Sequence, residues 1–240
     1  MSLDAITTIL FDLDGTLLPL DHEAFAHGYF TLFREHCEHL GYDSKAASDG
    51  LMAGMMAMLK DADGSLTNKE RFDRAFFQAS GIESEHFNAR FTPFYSEVFD
   101  QLATSSKQNP LSREVVEYLG GKGYDLVLAT APLFPFQATH ARIGWAGLEP
   151  GMFKTITTYE HCHYTKPHLA YYRSLLASIG RSASECLMVG NDVGEDMVVS
   201  ELGMETYLVT DCLINRNNWS IESLRRGSFA DFHLFCKEHL

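Results

Sequence analysis

The rhythm of hydrophobic and polar positions changes twice along this chain. It opens on Ile6-Thr7-Thr8-Ile9-Leu10-Phe11, a short β-branched and apolar run of the kind that forms a buried strand. After Pro19 the spacing becomes helical. Phe25, Tyr29, Leu32, Phe33 and Leu40 recur every three to four residues and stop at Gly41. Leu51, Met52, Met55, Met56 and Leu59 make a second stripe, read as the core of a helix bundle. A turn over Asp61–Gly64 precedes a helix bearing Phe72 and Phe76, with Thr67 or Asn68 as its cap. Phe87 and Phe91 lie on a short helix entered at Ser84, and Thr92-Pro93 opens one carrying Tyr95, Val98, Phe99 and Leu102.

From about Gln108 the pattern alternates. Helices are predicted over 112–119, 136–143, 167–179 (stopped by Gly180) and 194–202; strands over 124–130, 153–158, 186–190 and 206–209, the last of them. Such alternation builds right-handed βαβ units. The predicted fold is α/β, a Rossmann-like parallel sheet with helices on both faces, plus an inserted all-helical unit. The boundaries are 1–19 and 108–240 for the sheet unit and 20–107 for the insertion.

Composition changes this picture little. With 240 residues, 45% hydrophobic and 21% charged, the chain has the make-up of an ordinary globular protein. A net charge of −13 argues against nucleic acid or an anionic membrane as a partner. An anionic substrate remains open, because a metal and helix N-termini can build a locally positive site. Five scattered cysteines, no apolar run of membrane-spanning length and no basic-then-apolar start lead us to expect a cytoplasmic protein, monomeric or a small homo-oligomer.

The candidate chemistry lies where strands end. The first runs into Asp12-Leu13-Asp14-Gly15-Thr16, which brings two carboxylates to the edge where open α/β sheets bind ligands. Converging carboxylates repel unless a cation or a proton lies between them. Thr130 ends the second strand, Lys166 follows the third, and Gly190-Asn191-Asp192 with Asp196 follows the fourth. Parallel strands put all of these on one edge. Two carboxylates, a hydroxyl, a lysine and further acids around a cation suit phosphoryl transfer with Mg²⁺. His161, His163 and His168 lack the clear further ligands that a zinc site requires.

In order and spacing these four motifs resemble the haloacid dehalogenase-like hydrolases, across nearly all the chain outside the helical block. The block itself stands where many members insert a cap domain. The resemblance implies a magnesium-dependent phosphatase acting on a small phosphorylated metabolite. Asp12 would be the nucleophile, Asp14 the general acid and base, Thr130 a phosphate ligand, and Lys166 the clamp on nucleophile and phosphate. Gly15, Thr16 and Ala131 would line the substrate, Ala131 without the side-chain contact of the Asn that many relatives carry there. Mg²⁺ would be bound by Asp12, by the Asp14 carbonyl and by an acid of the fourth motif. Alignment on Gly190 selects Asn191, whereas the Asp-x-x-x-Asp spacing selects Asp192. A divalent ion gains more from a carboxylate than from an amide, which favours Asp192 and leaves Asn191 and Asp196 behind it, with Asp196 orienting Lys166 or a water. A phosphomutase keeps the same acids, and a non-catalytic regulatory protein could use the same fold. The helical block is expected to move as a lid.

Overall fold

A computed structural model of the chain describes residues 3–60 and 63–240, so Asp61 and Ala62 of the expected turn lie outside the described residues. Six parallel strands form one sheet in the order β3-β2-β1-β4-β5-β6. They are β1 (Thr8–Phe11), β2 (Asp125–Leu128), β3 (Thr155–Ile156), β4 (Cys186–Gly190), β5 (Glu205–Val209) and β6 (Arg226–Gly227). β1 lies at the centre, with Thr8 paired to Asp125 on one side and to Cys186 on the other.

Alternation along β1 assigns its side chains to two layers. Ile9 and Phe11 pack with Val115 and Leu119 of α5 (Pro110–Gly121) and Phe232 of α8 (Phe229–His239). Leu10 packs on the other face with Tyr172, Leu175 and Leu176 of α7 (Leu169–Ile179). All four residues of β1 are buried, as a strand covered on both faces requires. The expected α/β sandwich is therefore present. β6 and α8 extend it beyond the strand expected to be the last.

Between β1 and α5 the chain is helical: α1 (His22–His39), α2 (Ser44–Leu59), α3 (Asn68–Ser80) and α4 (Ser84–Phe91). The helix expected behind Thr92-Pro93 is instead a π-helical turn, Phe94–Val98, running into a 3-10 segment, Phe99–Ser105. The helix expected over 194–202 is likewise a 3-10 segment, Met197–Leu202, and the one expected from Pro167 begins at Leu169. A second apolar core fills this block, built from Phe33, Phe76, Phe91, Phe94 and Phe99.

The expected stripe on α2 is only half right. Leu51 is buried, but Met52, Met56 and Leu59 are 48%, 50% and 42% exposed. The packed face is Ala47, Gly50, Leu51, Gly54 and Met58. Its glycines admit the rings of α3: a Cβ on Gly54 would lie 2.5 Å from Phe72 Cδ2, and one on Gly50 3.0 Å from Phe76 Cδ2. Aromatic rings take the space of the missing methyls.

All five cysteines are free thiols. Among the described residues no helix is long and apolar enough to cross a membrane.

Candidate active site

The site begins one residue past β1. Asp12 N–H still donates to Val189 O of β4 at 2.9 Å, so the backbone of Asp12 is held in the sheet. A tight turn follows, closed by Gly15 N–H to Leu18 O at 2.7 Å and Leu18 N–H to Leu13 O at 2.8 Å. Gly15 is needed twice over. Its φ is +90°, and a Cβ there would lie 2.2 Å from Asn191 Nδ2. Thr16 Oγ1 lies 3.0 Å from Asn191 Oδ1 and 3.3 Å from Asp12 Oδ2, linking the first strand's loop to the fourth's.

Lys166 Nζ donates to Asp12 Oδ1 at 2.8 Å and to Asp196 Oδ1 at 2.6 Å. All three residues are buried. Asp196 Oδ2 in turn accepts from Asp192 N–H at 3.0 Å. Burial raises the Asp196 carboxyl to about 7 despite the neighbouring ammonium. Burial raises Asp12 as well, against the pull of Lys166. For Lys166 burial works against the charge, but Asp12 and Asp196 outweigh it and hold the lysine protonated.

Asp12, Asp14, Thr130, Ala131, Asn191, Asp192 and Asp196 all line one cavity of about 230 Å³. Lys166 lies behind its floor. Thr157 Oγ1 and Tyr171 Oη donate to the Thr130 carbonyl at 2.7 and 3.0 Å, which fixes the end of the β2 segment. Asp192 is heavily engaged: Oδ1 accepts from the amides of Gly194 and Glu195 at 2.8 and 3.0 Å, and Oδ2 meets Arg216 at 2.6 Å. Asn191 turns its Nδ2 to Cys212 O at 2.7 Å.

Both arginines of the cavity were unanticipated. Arg142 of α6 (Phe136–Trp145) is 1% exposed and pairs with Asp14 Oδ2. Its guanidinium lies over the Phe134 ring, 4.7 Å from the centroid. The sequence signal was a lone charge on the buried stripe Ala138, Thr139, Arg142 and Ile143. Arg216 comes from an irregular segment after β5, where periodicity carries no information. The paired Asp14 keeps its other oxygen, Oδ1, buried and without a hydrogen-bond partner.

The carboxylate oxygens of Asp12 and Asp192 at the cavity are a donor set that suits a hard divalent cation. Among the described residues no three His, Cys, Asp or Glu side chains are already arranged as a ligand cluster.

The parallel sheet thus brings two carboxylates, a buried lysine and the polar loop of the fourth motif together at one edge. The sequence model of the family described as haloacid dehalogenase-like hydrolase matches residues 6–198, and the chain belongs to this family. It is 27% identical over 209 residues, 84% of each chain, to a ribulose-1,5-bisphosphate 5-phosphatase of Halopiger xanaduensis. Its fold is similar to that of a HAD phosphatase from Thermococcus onnurineus, with TM-score 0.58, 16% identity and coverage of 98% and 100% of the two chains. It is similar also to the L-2-haloacid dehalogenase of Xanthobacter autotrophicus, with TM-score 0.56, 13% identity and the same coverage.

Proposed function

We propose that this hydrolase is a magnesium-dependent phosphatase that cleaves small phosphomonoesters through an aspartyl-phosphate. The observation that carries the reading is the cavity floor, where Asp12 is held by Lys166 at 2.8 Å and Asp14 keeps one oxygen unpartnered. The family and the phosphatase among the relatives support phosphomonoester hydrolysis.

The Asp12 carboxylate attacks phosphorus, the bond to the ester oxygen breaks, and Asp14 gives its proton to that leaving oxygen. Asp14 Oδ1 is the oxygen that carries the proton, since Oδ2 is taken by Arg142. Asp14 then removes a proton from water as the water attacks phosphorus, and Asp12 is released as carboxylate. Lys166 keeps Asp12 turned to the cavity, and the Thr130 hydroxyl, with Ala131 beside it, receives the phosphoryl oxygens. Gly15 and Thr16, expected to line the substrate, are not among the cavity-lining residues and instead hold the loop of Asp12 against Asn191. Asp12, the Asp14 carbonyl and Asp192 would hold Mg²⁺, which would supply the positive charge that the carboxylate-rich floor lacks. A carboxylate has about four acceptor sites, so Asp192 can accept from Gly194, Glu195 and Arg216 and still offer a lone pair to the ion.

The test is magnesium-dependent release of phosphate from p-nitrophenyl phosphate. Asp12→Asn, with an unchanged circular dichroism spectrum, is expected to fall to background. Sustained turnover by that folded variant would overturn the nucleophile and with it the reading.

A further inference from the structure

The wall facing the catalytic carboxylates has a composition of its own. α1 and α2 present Phe25, Tyr29, Phe30 and Met55 to the cavity, and Phe134 adds a fifth apolar face from the loop before α6. These rings are ordered before any ligand arrives. Tyr29 and Phe134 meet edge to face at 5.2 Å, as do Phe25 and Phe134 at 5.8 Å. Tyr29 turns its hydroxyl toward Tyr95 Oη, 3.4 Å away.

The same wall offers no fixed cation. Among the described lining residues there is no lysine, and the two arginines are committed: Arg142 to Asp14, Arg216 to Asp192 at 2.6 Å and Glu195 at 3.7 Å. Five carboxylates line the cavity against those two guanidiniums. The N-terminus of α1 is also closed to anions, because Asp21 Oδ1 accepts from the amides of Glu23 and Ala24 at 3.1 and 3.0 Å. His22, exposed at the start of α1, is the remaining basic group.

We propose that the substrate carries one phosphate on an apolar, aromatic or arylalkyl group, and that this aromatic wall without free cations discriminates against sugar bisphosphates. The proposal rests on the phosphatase reading above and specifies its substrate class. It separates this chain from the specificity that the name of its bisphosphatase relative describes. The apolar group stacks against Phe30, Met55 and Phe134, while a second phosphate would meet rings and carboxylates.

The experiment compares kcat/KM, with Mg²⁺, for 2-phenylethyl phosphate, glycerol 3-phosphate and ribulose 1,5-bisphosphate. All three release primary alcohols, so differences report recognition more than leaving-group chemistry. The phenylethyl ester is expected to exceed both others by about tenfold or more, the scale on which hydrophobic pockets discriminate. Phe30→Ala should shrink that preference, and Met55→Lys should shift it toward the bisphosphate. Equal rates, or preference for the bisphosphate in the unmodified protein, would overturn the proposal while leaving the phosphatase reading intact. If no ester turns over, the phosphatase reading fails instead. Calorimetric titration with unreactive 2-phenylethylphosphonate and 3,4-dihydroxybutylphosphonate, with Mg²⁺ present, then decides the apolar preference. Tighter binding of the phenylethyl compound supports it, and equal binding overturns it.

Discussion

Lys166 is clamped between Asp12 Oδ1 at 2.8 Å and Asp196 Oδ1 at 2.6 Å, so one buried positive charge serves two buried negative ones. The leftover negative charge falls on groups that burial already discourages from ionising. Asp196 shows the result, with its carboxyl raised to about 7 against an ordinary 3.8. The folded protein therefore binds more protons than the unfolded chain between about pH 4 and pH 7, and stability falls as pH rises through that window. In chelator-containing buffer the melting temperature should drop from pH 5 to pH 8, and Asp196→Asn should flatten the drop. Parallel melting curves for the two proteins would count against Asp196 as the group responsible. The sequence offered Lys166 or a water as the partner of Asp196, on the expectation of a helix from Gly194; the chain there is a turn ahead of the 3-10 segment Met197–Leu202, and Lys166 is a partner. Arg142 was not legible in the sequence, because nothing about a charge on a helix says that a carboxylate 128 residues earlier waits for it.

At the scale of elements, α2 and α3 show where reading apolar periodicity goes astray. Methionine stripes look like core, yet Gly50 and Gly54 face the rings of Phe76 and Phe72. Glycine has no hydrophobicity to register, although it sets how closely two helices approach. Gly54→Val should lower stability by about 1–3 kcal/mol in urea unfolding, the range for overpacking a tight contact. Met56→Ala, on the exposed face of the same helix, should change it by less than about 0.5 kcal/mol. A neutral Gly54→Val would mean that Phe72 moves aside freely. The βα alternation, by contrast, was legible because buried parallel strands are continuous apolar runs, as in Cys186–Gly190. α8 escaped notice even though it carries a capping box, Ser228 with Asp231, and buries Phe229, Phe232 and Cys236 at helical spacing.

Across the whole molecule, the helical block is joined to the sheet unit by more than its two chain crossings. Asn68 is fully buried, and its Nδ2 donates to Pro132 O at 3.2 Å and Tyr164 O at 3.1 Å. The amides of Asn68 and Lys69 donate to Cys162 O at 2.7 Å and Tyr159 O at 2.9 Å. On the far side Trp145 stacks on Phe99, with centroids 5.3 Å apart, and its indole N–H donates to Asp100 Oδ1 at 3.0 Å. These ties oppose the rotation expected of a lid, and we predict that the block stays fixed as a wall. Hydrogen exchange checks it: the Asn68 and Lys69 amides should exchange slowly with or without Mg²⁺ and vanadate, and Asn68→Ala should speed both. Fast exchange in the free protein, slowed by vanadate, would restore the lid.

The division between strand ends and helix α1 also bears on how such an enzyme can diverge. In the proposed function, the groups that would handle phosphorus come from loops at the ends of β1, β2 and β4 and from Lys166. Phe25, Ala26, Tyr29 and Phe30, on one face of α1, line the cavity opposite them, where the rest of the ligand would lie. A lineage could therefore exchange one customer molecule for another through a handful of codons in a single helix, with the inherited reaction untouched. A mutagenesis library confined to that face would search the same territory.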